Sequence, residues 1–160
     1  MKSMSLPEGF AIRLASTADL ETLVAHRRAM FFDMGYKDDG ALDSMSAKFR
    51  VWLREHMDSG EYHAWLILGP DGSVMAGAGL WLMDWPPHMV GKGQRRGNIL
   101  NVYTSENYRR RGLARELMEA VLRWCRENGV DTVILHASPD GKSLYESMGF
   151  TGTNEMRIQL

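Results

Sequence analysis

Apolar positions recur along the chain in two rhythms, and the switches between them mark out its elements. Residues 10–15, "FAIRLA", alternate as a half-buried strand does. The spacing then turns helical: Leu20, Leu23, Val24, Phe31 and Met34 fall on one stripe, Ser16 or Thr17 is suited to cap it, Asp19 sits in the first turn, and Gly35 stops it. After a polar break, "YKDDG", residues 41–60 predict a second amphipathic helix with Leu42, Met45, Phe49, Trp52 and Leu53 on its buried face. "YHAWLILG" and "SVMAGAGLWLMDW" flank "PDG" and predict a hairpin. Residues 86–97, "PPHMVGKGQRRG", predict a long loop bearing the cations Lys92, Arg95 and Arg96; long loops inside compact domains are often functional.

"NILNVYT", 98–104, is the next strand. Residues 112–129 form the clearest helix, with Leu113, Leu117, Val121 and Trp124 beside Met118 and Cys125, and with Gly129 as its stop. "VDTVILHAS" is nearly continuous in apolar residues, as a strand covered on both faces should be. A short helix over 141–149 and a last strand or strand pair over 150–160 complete the order β-α-α-β-β-β-α-β-α-β. That order predicts a mixed α/β layer fold, with residues 1–9 as an N-terminal extension and 10–160 as a single domain.

Bulk properties narrow the function. At 160 residues, 44% apolar and 24% charged, the chain has the make-up of a soluble globular domain with a real core. A net charge of −1 argues against a nucleic-acid partner. One cysteine, Cys125, excludes an intrachain disulfide framework and suits the reducing cytoplasm. The first ten residues lack a signal-peptide core, and the longest apolar run, "VMAGAGLWLM", is too short to span a bilayer, so no membrane partner is expected. The scattered methionines read as core filler rather than ligands, and no metal is expected.

One stretch breaks this ordinary pattern. In "NVYTSENYRRRGLARELM", 101–118, an apolar strand runs into three arginines, then a glycine, then a helix. A helix start presents free N–H groups and partial positive charge, where a phosphate fits. Gly112 and Ala114 give backbone clearance while Arg109, Arg110 and Arg111 bring charge, in the pattern Arg109-x-x-Gly112-x-Ala114. Neither the P-loop string nor the dinucleotide fingerprint is present. The plainer reading is an exposed arginine-rich turn ahead of a core helix. Downstream, "SLYESMGF" puts Tyr145 on a short helix ending at Gly149, where a half-buried anchor is the plainer reading.

As a pair, the two stretches resemble the acetyl-CoA segment and the following strand-helix-strand of the GCN5-related N-acetyltransferase (GNAT) superfamily: Arg109-x-x-Gly112-x-Ala114, then Leu144-Tyr145 with Gly149-Phe150. The resemblance implies a mixed central β-sheet splayed between its central strands, flanked by helices on both faces, with acetyl-CoA as co-substrate in the gap. It implies that the backbone of Asn101, Val102 and Tyr103 pairs with the pantetheine arm. It also implies that Arg109, Arg110, Arg111, Gly112, Leu113 and Ala114 surround the pyrophosphate, and that Tyr145 protonates the departing thiolate. The implied reaction is direct attack by a primary amine, of a small molecule or a peptide, in a ternary complex; a homodimer is left open. A non-catalytic acyl-CoA-binding sensor or partner module with the same cleft is the alternative.

The sequence departs from the family at two places. Arg110 stands where many members have glycine. Asn98 and Asn101 stand where some carry a glutamate base, and neither can accept a proton. That leaves Asp84, His88, Glu106, His136 or a water chain for the role. The resemblance also implies that the acceptor enters between residues 33–40 and 84–97. There Asp38 and Asp39 would attract an amine, Trp81, Met83 and Trp85 would line an apolar wall, and Arg95 and Arg96 would meet CoA phosphate or an anionic acceptor.

Overall fold

A computed structural model describes residues 5–160. The five strands β1 (Ala11–Leu14), β2 (Tyr62–Leu68), β3 (Val74–Asp84), β4 (Arg95–Thr104) and β5 (Val133–Leu135) lie in sequence order across one sheet. The first four run antiparallel and β5 runs parallel to β4, so the sheet is mixed. Four α-helices complete the chain: α1 (Leu20–Asp33), α2 (Asp39–Asp58), α3 (Leu113–Glu127) and α4 (Lys142–Ser147).

The starts of α1 and α2 follow from local chemistry. Ser16 and Asp19 form a reciprocal capping box over a 3-10 turn at Thr17–Asp19, and this turn runs straight into α1. The Asp38 carboxylate accepts the Ala41 N–H at 3.0 Å and caps α2. Gly35, at φ 107°, lets the chain leave α1 in a conformation other residues avoid.

The two faces of the sheet are covered by different helices. Leu20, Leu23 and Val24 of α1 and Phe49 and Leu53 of α2 pack on Tyr62, Ala64 and Leu66. Leu113, Leu117, Met118, Val121 and Cys125 of α3 pack on Trp65, Ile67, Ala78, Leu80 and Ile99. Fully buried aliphatics such as Leu53, Leu117 and Val121 each contribute about 1.5–3 kcal/mol through removal from water. Burial also pushes the Cys125 thiol up to about 11, leaving it an inert core residue. Among the described residues, no helix is long and apolar enough to cross a membrane.

Three expectations change. The predicted 86–97 loop gives up its end to β4, which begins at Arg95. The strand expected over 130–138 contracts to Val133–Leu135, because β4 offers β5 a partner only over Gly97–Ile99. The last strand over 150–160 does not form: its apolar alternation is present, but Met156, Ile158 and Leu160 are 94%, 78% and 105% exposed, and no strand edge of the sheet pairs with them. Alternation records readiness to pair, and pairing also needs a neighbour. Residues 1–4 of the expected extension lie outside the described residues; within the rest, Leu6 packs on the α3-side core.

β3 carries the tightest approach. A Cβ on Gly79 would stand 1.8 Å from the Tyr62 hydroxyl, and one on Gly77 would stand 3.0 Å from His26 Nδ1. The small residues of "AGAG" are therefore a receiving surface for polar side chains from β2 and α1. Gly79→Ala is expected to destabilise the fold by about 1–3 kcal/mol or more, read as a lower urea midpoint at unchanged m-value; an unchanged midpoint would show that Tyr62 does not occupy this slot.

Candidate active site

β4 and β5 pair only at Gly97–Val133, Asn98–Ile134 and Ile99–Leu135, then part. An irregularity in β4 lies just beyond the last pair. Between the pairs Gly79–Leu100 and Gly77–Tyr103, β3 uses one residue, Ala78, where β4 uses two, Asn101 and Val102. This is a β-bulge, which bends and twists the strand that carries it. Asn101 holds the left-handed conformation, φ 56°, a cost on the order of 1–3 kcal/mol that asparagine tolerates better than most residues. Past the bulge, the edge of β4 that would face β5 has no strand partner among the described residues. The bulge also shifts the side-chain alternation: Asn101 and Tyr103 meet α1-side groups, while Val102 packs on the α3-side core.

The Asn101 side chain is buried and bonded at both ends. Its oxygen accepts from the Arg27 guanidinium at 2.8 Å, and its amide donates to the Tyr62 hydroxyl at 3.0 Å. Arg27 lies near the rings of Phe31 and Phe49, 5.0 and 4.7 Å from their centroids. Burial pushes the Tyr62 phenol up to about 12, so its hydroxyl stays protonated. Two such bonds, one from a charged donor, offset the cost of the left-handed backbone by about 1–3 kcal/mol.

Beyond Thr104 the chain crosses to α3. Ser105 N–H donates to the Met75 carbonyl at 2.9 Å, and a 3-10 turn follows over Glu106–Tyr108. Arg109 is committed to the scaffold: its Nε donates to the Thr104 carbonyl at 2.9 Å, and its guanidinium pairs with Asp33 at the end of α1, which raises its pKa. Arg110 is exposed and left-handed at φ 61°, the conformation that glycine would adopt freely. The Arg111 guanidinium lies 5.1 Å from the Tyr108 ring centroid. Gly112, at φ 80°, starts α3 with no side-chain cap, in contrast to Ser16 and Asp38 at their helices. No side chain therefore offsets the partial positive charge of the first-turn N–H groups. Leu113, 2% exposed, pins this corner to the core, and Ala114 is half-buried.

α4 brings Tyr145 into the same core cluster as Leu113 and Leu117, against which Val102 and Tyr108 also pack. Its ring meets Phe150 edge-on at 6.0 Å, and burial raises its pKa. Val102, Leu113 and Tyr145 therefore share the α3-side core.

The proposed acceptor walls do not converge. Asp33 and Arg109 hold the α1–α2 turn at the C-terminal end of β4, whereas residues 84–95 join β3 to its N-terminal end, roughly 30 Å away for a ten-residue strand. Asp84 and His88 fall at that far end. Arg95 pairs across from Asp84, and the Arg96 guanidinium lies 3.9 Å from the Trp85 ring centroid, so neither cation reaches the α3 corner. Trp81 packs on Trp52 in the α1–α2 core. Asp38 is spent as a cap and Asp39 pairs with Arg28 at 2.9 Å. Asn98 is buried in mid-sheet beside Trp81. Of the remaining base candidates, Glu106 is exposed on its 3-10 turn, and His136 directly follows β5 with Nε2 3.5 Å from Glu155.

Sequence reading missed Arg27, Tyr62 and His26. The available signal was "AGAG" on a strand, which marks close approach by other groups. His26 is buried over Gly77, tilted on Tyr103 at 5.0 Å, with Nδ1 lacking a partner.

The family profile described as "Acetyltransferase (GNAT) family" matches residues 23–150. A GCN5-related N-acetyltransferase from Ralstonia eutropha superposes with a TM-score of 0.88 at 35% identity, over 94% of this chain and 98% of that one. A predicted acetyltransferase from Clostridium acetobutylicum, solved with acetyl-CoA, gives 0.86 at 22% identity over 94% and 96%. An N-acetyltransferase ycf52-like protein of Prochlorococcus marinus is 34% identical over 88 residues, 51% of this chain and 48% of that protein; the match thus spans about half the length of this curated relative.

Burial lowers the pKa of His26 to about 4, below the ordinary 6.5 of the unfolded chain. Between those values the unfolded state binds the extra proton, so stability rises with pH. Urea titrations from pH 4 to 6.5 are expected to show this rise in the parent and a flatter profile in His26→Gln; identical slopes would contradict the buried neutral imidazole.

Proposed function

The chain belongs to the acetyltransferase (GNAT) family, and on that premise we propose that it moves an acetyl group from acetyl-CoA to a primary amine within a ternary complex. The observation that carries the reading is the parting of β4 from β5 after Ile99, with an uncapped helix start following the same strand. Acetyl-CoA fits the donor set: an unpaired strand edge suits the amide-bearing pantetheine arm, and first-turn N–H groups suit a diphosphate. The Clostridium acetobutylicum protein of the same fold was solved with this ligand.

Asn101, Val102 and Tyr103 would hold the arm through their backbone. The N–H groups from Arg110 to Ala114 would hold the diphosphate, with Arg111 adding charge beside it, while Arg109, paired with Asp33, would brace the corner. When bound, acetyl-CoA supplies the activated acyl carbon and a thiolate leaving group. Tyr145 would give its phenolic proton to that thiolate; burial keeps the phenol protonated until the proton is needed. The attacking amine must be neutral, although a free alkylamine has a pKa of about 10, so a proton acceptor is required. His136, directly following β5, or water beside it, would take that proton. Holding both reactants in one cleft supplies much of the rate gain.

A second reading, an acyl-CoA-binding module without turnover, draws support from Asn98 and Asn101, which put amides where a carboxylate base would stand on β4.

Calorimetry with acetyl-CoA and a thiol-release assay across an amine panel separate the two. Binding with release is expected for the enzyme, and binding without release for the module; no binding at millimolar ligand overturns both. Tyr145→Phe is expected to keep acetyl-CoA affinity within about twofold and lose about 100-fold or more in kcat, the range of general-acid catalysis. Unchanged kcat would remove Tyr145 from that role.

A further inference from the structure

We infer that Tyr62 and Arg27 are positioning residues for the cofactor gap: they clamp the Asn101 side chain and thereby hold the β4 bulge that keeps β4 and β5 apart. The inference rests on the acetyl-CoA reading above and assigns it two residues that lie outside the binding corner. Tyr62 and Arg27 are 39 and 74 positions from Asn101 in sequence and come from β2 and α1. Three elements therefore meet on one amide.

The surroundings are shaped to this purpose. Gly79, the β3 partner of Leu100 at the bulge, leaves the space that the Tyr62 hydroxyl fills. Phe31 and Phe49 hold the Arg27 guanidinium from α1 and α2. Among the described residues no carboxylate pairs with Arg27, and its Nε is buried without a partner. A guanidinium half-buried without a counter-ion is a costly residue to place in a core face. Its defined bond is the one to Asn101. Asparagine at a left-handed position can be read as local turn chemistry alone, but a local role needs neither a buried tyrosine nor a half-buried arginine. The clamp explains all three residues and the glycine opposite.

Two variants of the full-length chain separate the clamp from mere packing. Asn101→Gly keeps the left-handed backbone and deletes both bonds; Tyr62→Phe keeps the ring and deletes one. Amide hydrogen exchange at residues 100–104 is expected to quicken about tenfold or more in both, while Gly97, Asn98 and Ile99 stay protected. Calorimetry is expected to show acetyl-CoA affinity weakened about tenfold, and KM for acetyl-CoA to rise with KM for the amine unchanged. Unchanged exchange at 100–104 in both variants overturns the clamp. Quickened exchange with unchanged acetyl-CoA affinity overturns its positioning role. Should the parent itself fail to bind acetyl-CoA, the functional reading falls, and with it the positioning role, while the exchange data still judge the clamp.

Discussion

A single residue out of step, Asn101, organises this molecule. Its left-handed backbone adds one residue to β4 against β3, and the strand bends. Parallel pairing with β5 then ends after Ile99, and the sheet opens where a continuous ladder would have closed it. Satisfied backbone is the rule inside proteins, so an edge left free beside a covered core points to a partner from outside. The helix start at Gly112, also without a protein cap, lies at the end of the same strand. Among the described residues, the unpaired edge of β4 and the uncapped start of α3 thus follow one another along the chain.

The scaffold around this opening is rigid for identifiable reasons. α3 is anchored by Leu113 at its first residue, so the helix start cannot drift from the core. Arg109 ties the β4–α3 crossing to the end of α1, and α1 reaches back through Arg27 to Asn101. The α3 corner proposed for the diphosphate and the β4 bulge therefore share α1 as a common brace. The other end of β4, with Trp85 under Arg96, forms a separate surface.

Much of this was legible in the sequence because its signals are local. The helical stripes, the "PDG" hairpin and Gly112 with Ala114 ahead of a strong amphipathic helix each depend on residues a few positions apart. What could not be read depends on contacts across long stretches of chain. Nothing near Asn101 announces Arg27 or Tyr62. Residues 33–40 and 84–97 were expected to form one wall, but strand direction places 84–97 at the opposite end of β4 from the α3 corner. The strand expected over 150–160 had the right alternation, but a strand exists only where an edge accepts it. Arg110 shows the converse: sequence flagged it as an oddity, and the structure supplies the reason in its positive φ.

A crystal structure of the chain grown with acetyl-CoA tests the account most directly. The pantetheine arm is expected along the free edge of β4 at Asn101–Tyr103, the diphosphate on the N–H groups from Arg110 to Ala114, and Asn101 still left-handed. Acetyl-CoA bound elsewhere, or β4 found paired with β5 through Tyr103 so that no gap remains, would contradict it.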